Sequence, residues 1–235
     1  LFYSTISWSR LWTNNCGNPG VLFNDVTTDS FGNVYTVFNN GIIKYDSSGN
    51  ILSTQYLSGL NSPIAYSVNI DSLGNIYCSG YSYNSLTQEN DGFLVKYSSN
   101  GTYQWTRQQI TSASEGSYGV ATDNLGNVYT AGWTYGSTGG IYSGSGVDGW
   151  IASYDAMGNL RWTTQLNTGG INQFTGIAID NNNSLYLTTQ NSLAKYLSNG
   201  SLQWNQMLGF SSINGNQIAL DNSGYIYITG DTKAS

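Results

Sequence analysis

Histidine is absent from the 235-residue chain, which removes the commonest general base and, with it, most catalytic triads and zinc sites. Charge is scarce as well: 9% of residues, seven Lys and Arg against 13 Asp and Glu, a net charge of −6 and a pI near 4.2. The basic residues are scattered rather than gathered in a stripe, so a phosphate backbone finds no complementary surface and nucleic acid is not expected as a partner. No apolar run approaches the roughly 18 residues that a membrane helix needs, and membrane insertion is not expected either. Stretches of Ala, Glu, Lys and Leu that would build helices are missing. Two cysteines are too few for a disulfide framework. Cys78, which follows Tyr77 in an expected strand, reads as a small buried hydrophobe, with a disulfide to Cys16 as the alternative. The first residue is Leu rather than Met, which leads us to expect a mature form or an excised piece.

What remains is rich in Gly (29), Tyr (19) and Trp (7), with abundant Ser, Thr and Asn and 2 Pro. That is an all-β, turn-rich composition. Neutral polar groups in place of charge point to a secreted or cell-surface protein.

A seven-residue phrase organises the chain. It appears as Asp29-Ser-Phe-Gly-Asn-Val-Tyr35 and returns at Asp71 to Tyr77, Asp123 to Tyr129, more loosely at Asp180 to Tyr186, and at Asp221 to Tyr227. Asp accepts local backbone N–H groups and the late Gly takes φ > 0, so each copy predicts a hairpin turn. A second phrase with an Asn/Gly turn follows at Tyr45, Tyr97, Tyr154 and Tyr196, and eight residues later stands Trp105, Trp162 or Trp204, with Ser53 as the exception. Each unit therefore holds four strands, A to D, and the unit recurs at Asp-to-Asp intervals of 42, 52, 57 and 41 residues. This is the pattern of β-propeller blades.

The remaining 43 residues, counted from Asp221 through both termini to Asp29, make one more repeat length. We therefore expect an all-β, five-bladed propeller of four-stranded antiparallel blades. Its ring would be closed by N-terminal strands C and D (Tyr3, Trp8 to Trp12) pairing with C-terminal strands A and B. The expected blades span about 18–58, 59–110, 111–168, 169–210, and 211–235 with 1–17. Val26, Val68, Val120, Ile177 and Ile218 on strand A, and Tyr35, Tyr77, Tyr129, Tyr186 and Tyr227 on strand B, are the expected core and inter-blade wedges.

The run Asp123-Asn-Leu-Gly-Asn-Val-Tyr-Thr-Ala-Gly-Trp-Thr, followed by Asp148-Gly-Trp-Ile-Ala-Ser-Tyr-Asp-Ala-Met-Gly-Asn-Leu-Arg-Trp, resembles the bacterial β-propeller repeat SBBP, as does Asp71 to Tyr97. The units at Asp29 and Asp180 lack the Asp-Gly-aromatic opening of strand C and are more divergent. The resemblance implies a propeller in exported or surface proteins and brings no catalytic motif. The architecture is also similar to tachylectin-type sugar-binding propellers, without a shared binding motif.

Length varies in one connection only. From the Tyr of strand B to that of strand C the steps are 10, 20, 25 and 10 residues. The B–C and D–A connections of a propeller share one face, so the expected recognition elements are the long loops Tyr81 to Asp91 and Trp133 to Asp148. Tyr81, Tyr83, Asn84, Asp91, Trp133, Tyr135, Tyr142 and Asp148 are the candidate ligand-binding residues, aromatic faces interleaved with small polar groups as in a paratope. The alternative is that these are solvated loops whose aromatics fold back on the blade.

The hairpin residues Asp29, Asp71, Asp123, Asp180 and Asp221 are structural turn formers, because catalysis needs asymmetry and they repeat identically. Their phrase differs from a Ca²⁺ loop in its early Gly and its lack of a closing bidentate acid, so no metal or cofactor is expected. Asp25, Glu89, Asp91, Glu115 and Asp148 reach towards the loop face, but nothing pairs them by spacing for glycoside hydrolysis. Sequons at Asn100, Asn182 and Asn199 fall in expected turns. The functional expectation is a non-catalytic extracellular binding or adhesion module for glycan or protein. The alternatives are a structural subunit or spacer of a surface assembly that contacts copies of itself, and, further off, a glycosidase.

Overall fold

The computed structural model describes residues 22–138, 140, 146–166, 170–208 and 213–232. The first sheet holds β1 (Phe23–Thr28), β2 (Val34–Phe38), β3 (Gly41–Tyr45) and β4 (Ile51–Tyr56). The second holds β5 (Ile64–Ile70), β6 (Ile76–Asn84), β7 (Glu89–Tyr97) and β8 (Tyr103–Gln109). The third holds β9 (Glu115–Thr122), β10 (Val128–Thr134), β11 (Gly146–Tyr154) and β12 (Leu160–Leu166), with β13 (Gly170–Ile171) parallel to the start of β11. β14 (Gly176–Ile179), β15 (Leu185–Thr188), β16 (Ser192–Tyr196) and β17 (Leu202–Met207) form the fourth, and β18 (Ile213–Leu220) pairs with β19 (Ile226–Thr232). Each four-stranded sheet is an antiparallel meander in chain order, and the first strands of successive sheets, β1, β5, β9, β14 and β18, lie side by side. That is propeller-type stacking of sheets around inner strands. Among the described residues no helix is long and apolar enough to cross a membrane.

Local chemistry builds every A–B turn. Asp123 Oδ1 accepts the backbone N–H groups of Leu125 and Asn127 at 2.9 and 2.8 Å, and Oδ2 accepts Asn127 Nδ2 at 2.8 Å and the Tyr129 hydroxyl at 2.9 Å. Asp29 and Asp71 repeat the arrangement with Tyr35 and Tyr77. The expected wedge tyrosine is therefore also the lock of its own turn. Gly32, Gly74 and Gly126 sit at φ near +80°, and in the divergent fourth unit Asn183 occupies the left-handed region instead, at φ 61°.

Packing between sheets follows the predicted columns in the interior. Tyr35, Tyr77 and Tyr129 are buried, and Lys44, Lys96 and Lys195 lie 5.0–5.2 Å over the rings of Tyr35, Tyr77 and Tyr186. Two expected core positions are corrected: Val26 is 60% exposed and Tyr227 56% exposed. The Val column faces the preceding sheet and the Tyr column the following one, and these two residues stand on the outer sides of the first and last described sheets. Cys78 is a buried free thiol, while Cys16 and the expected N-terminal closing strands lie outside the described residues.

A further correction concerns the long B–C connection of the second unit. Tyr81 to Asn84 and Glu89 to Asp91 continue β6 and β7 in register, so the expected loop is mainly a lengthened hairpin. The same holds for Trp133 and Asp148, which pair in β10 and β11 through Trp133↔Gly149 and Thr134↔Asp148.

Candidate functional site

The inner strands do not run smoothly to the B–C face. The ladder slips by one residue at Asn24 in β1, Tyr66 in β5 and Tyr118 in β9, each five positions before its hairpin Asp. A bulge leaves one residue unpaired and re-aims its side chain. The glycines across the ladder make this possible. A Cβ on Gly80 would lie 2.0 Å from Ile64 O, and one on Gly132 would lie 1.8 Å from Gly116 O. Asn24, Tyr66 and Tyr118, with Gln173, Thr175 and Gln217, line a cavity of about 290 Å³ where the inner strands meet. None of these side chains is charged. Asn24 Nδ2 donates to Ala65 O at 2.6 Å, which fixes its amide across the first two sheets.

From this cavity a line of rings runs outwards along the lengthened hairpins. Tyr66 and Tyr118 meet edge to face with centroids 4.8 Å apart. Tyr81 stands 5.7 Å from Tyr66, Trp133 stands 6.5 Å from Tyr118, and Tyr135 stands 5.5 Å from Trp133. Gly116 gives the Trp133 indole its place, since a Cβ there would fall 2.5 Å from Nε1. Burial raises the Tyr66 and Tyr118 phenols, and the nearby Tyr81 phenol adds to it, so both stay protonated at neutral pH.

The expected residues divide in two. Tyr81, Trp133 and Tyr135 join this aromatic line, and Tyr83 is 41% exposed on the hairpin beside it. Tyr142 lies outside the described residues. Asn84, Asp91 and Asp148 are corrected to structural roles: both acids are fully buried, Asp91 accepting Asn84 Nδ2 at 2.7 Å and Asp148 accepting Gln165 Nε2 at 2.8 Å. The glycine after each acid lets the neighbouring sheet close in, Gly92 against Trp150 and Gly149 against Phe174.

The other acids expected at this face also lie within the scaffold. Asp25 Oδ2 accepts Ser67 Oγ at 2.8 Å and Val68 N at 3.0 Å, tying β1 to β5. Glu89 accepts the Ser114 hydroxyl. Glu115 is fully buried with the Thr111 and Thr134 hydroxyls as donors, and burial, assisted by the charge of Asp91, pushes it up to about 7. Spacing alone did not bring Asp91 and Glu115 together; two adjacent sheets do. Backbone bonds complete the face, Tyr83 N to Asn61 O at 2.9 Å and Tyr135 N to Ser114 O at 3.0 Å, joining B–C hairpins to D–A links.

The family profile of the SBBP β-propeller repeat matches residues 104–139 and 203–235, so these two stretches are similar to that repeat, in keeping with the propeller-type stacking of the sheets. Each matched segment runs from a strand-D tryptophan, Trp105 or Trp204, past the next hairpin Asp. A WD repeat-containing protein of Acanthamoeba polyphaga mimivirus is 26% identical over 106 residues, which are 40% of this chain and 8% of that protein. Streptogramin B lyase superposes with a TM-score of 0.65 at 18% identity, over 91% of this chain and 64% of that one. An extracellular domain from B. thetaiotaomicron, described as belonging to a one-component system, gives 0.58 at 16% identity over 89% and 26%. Likenesses at these identities show the fold alone, and the chain spans less than two thirds of each of these proteins.

Proposed function

We propose that the chain is a non-catalytic binding or adhesion module, secreted or at the cell surface, that engages glycan or protein through the B–C and D–A face. One observation carries the reading: an unbroken line of five rings leads to an uncharged cavity edged by amides and hydroxyls. Aromatic faces stack on the C–H faces of sugars and on apolar side chains, while amides add directional hydrogen bonds. The absence of a catalytic role is part of the proposal. It is supported by Asp25, Asp91, Glu115 and Asp148 lying in the scaffold rather than lining the cavity. We further propose the five-bladed ring, closed by residues near the N-terminus against β18 and β19. Its support is that Trp204, Tyr227 and Val26 are exposed at the two ends of the series while their counterparts are covered.

The test is a glycan array and a cell-surface protein screen with the whole chain, repeated with Tyr66→Ala and Tyr118→Ala. Binding by the parent, weakened about tenfold in each variant, is expected. Binding undiminished by both substitutions would contradict the reading.

A further inference from the structure

Strand D carries a tryptophan at one fixed ladder position in three sheets: Trp105 opposite Lys96, Trp162 opposite Ser153, and Trp204 opposite Lys195. In the first sheet that position, opposite Lys44, is Ser53. Where the tryptophan is present its ring lies 5.9–6.2 Å from the wedge tyrosine, Tyr77, Tyr129 or Tyr186. The indoles of Trp105 and Trp162 also cap the C–D turn of the next sheet. Nε1 donates to Ala156 O at 3.4 Å and to Ser198 O at 3.0 Å, and a Cβ on Gly158 or Gly200 would come within 2.9 Å of the indole.

At Ser53 nothing fills this space. The facing turn is that of Gly101, with Ser99 in the place of Ala156 and Ser198, and a Cβ on Gly101 would meet nothing nearer than Gln55 Oε1 at 3.8 Å. The result is a slot of about 260 Å³ walled by Tyr35, Ile42, Leu52, Ile76 and Gly101, beside a groove of about 640 Å³ on the tight-turn face that shares Tyr35, Lys44 and Ser99 with it. It lies on the opposite face from the aromatic mouth.

We propose that this slot binds a small flat aromatic molecule bearing an N–H donor, of the indole class, seated as the Trp105 and Trp162 side chains are seated. Ile42, Leu52 and Ile76 supply the apolar wall, the Tyr35 ring an edge, and Ser99 the carbonyl acceptor. A surface slot of ring size with an apolar wall and a few polar groups at its rim takes up such molecules. Among the described residues Ser53 is the only position in the strand-D column where the ring is withheld, so the site is specific to the first sheet.

The experiment is titration of free indole into the whole chain, followed by ligand-observed NMR and by thermal unfolding. One site with a dissociation constant on the order of 1 mM is expected. Ser53→Trp plugs the slot: indole binding is lost and Tm rises by about 5 °C. Ser53→Phe, a smaller plug, is the second blocking variant. Indene, which has the shape but not the N–H, is expected to bind at least about threefold more weakly if the Ser99 bond forms. No indole binding by the parent, or undiminished binding by either folded variant, overturns the proposal. Equal binding of indene overturns the assignment of the donor.

Discussion

The two faces of the molecule use the same residue types to opposite ends. On the tight-turn face Asp and Tyr recur at fixed positions, and each carboxylate is saturated by local donors, as Asp123 is by Leu125, Asn127 and Tyr129. On the B–C face the aromatic residues gather in the second and third units, the two that depart from the common length. There Asp91 is buried and the tyrosines form one line with Trp133. Repetition marks residues that every blade needs in order to fold; departure from it marks residues that a single blade can spend on recognition.

The sharpest way to break this contrast is to remove one member from each face. Asp123→Ala leaves a turn with its amide donors unpaired and is expected to cost roughly 3 kcal/mol, read by denaturant unfolding, with ligand binding unchanged in the folded fraction. Tyr118→Ala takes away one stacking face at the cavity and is expected to weaken binding about tenfold, with a stability loss of about 1–2 kcal/mol, less than that of Asp123→Ala, from its lost contacts with Tyr66 and Trp133. A reversal of these two results would mean that the faces have been assigned the wrong way round.

Titration separates the faces as well. The exposed turn carboxylates of Asp46 and Asp155 are lowered, chiefly by the side-chain amides of Asn50 and Asn159, so their contribution is present above the ordinary value of 3.8 and is lost as pH falls through their folded values. Glu115 runs the other way. Its folded value of about 7 exceeds the ordinary 4.5, so the folded state holds the extra proton and stability declines as pH rises from about 4.5 to 7. Glu115→Gln is expected to flatten that neutral limb in a pH series of unfolding midpoints and to leave the acid limb in place. The smallest effect is expected for Tyr129→Phe, which removes the hydroxyl that donates to Asp123 and accepts a long bond from Arg161, and should cost about 1 kcal/mol.

How much of this was legible in the sequence follows from the range of the interactions involved. The turns, the four-stranded units and the Tyr and Trp columns are local chemistry repeated, and they read directly from Asp29 to Tyr35 and its echoes. The lengthened hairpin was hidden because Asn84, Glu89 and Asn90 have little strand preference, and cross-strand pairing in β6 and β7 overrides that. Tyr66 and Tyr118 were missed because a bulge is a property of register between strands. The available signal was the glycine inside strand B, Gly80 and Gly132, nine residues after the hairpin Asp. The burial of Asp91 and Asp148 was not legible either, since it is produced by the neighbouring sheet closing over Gly92 and Gly149.

The most direct test of the account is a pair of binding titrations with the tightest glycan or protein ligand found for the whole chain. One uses Tyr118→Ala at the mouth, and the other uses Phe31→Ala, which removes an 85% exposed ring from the tight-turn face. A roughly tenfold loss for Tyr118→Ala with parent-like affinity for Phe31→Ala is the predicted result. Equal affinities, or a loss confined to Phe31→Ala, would contradict it.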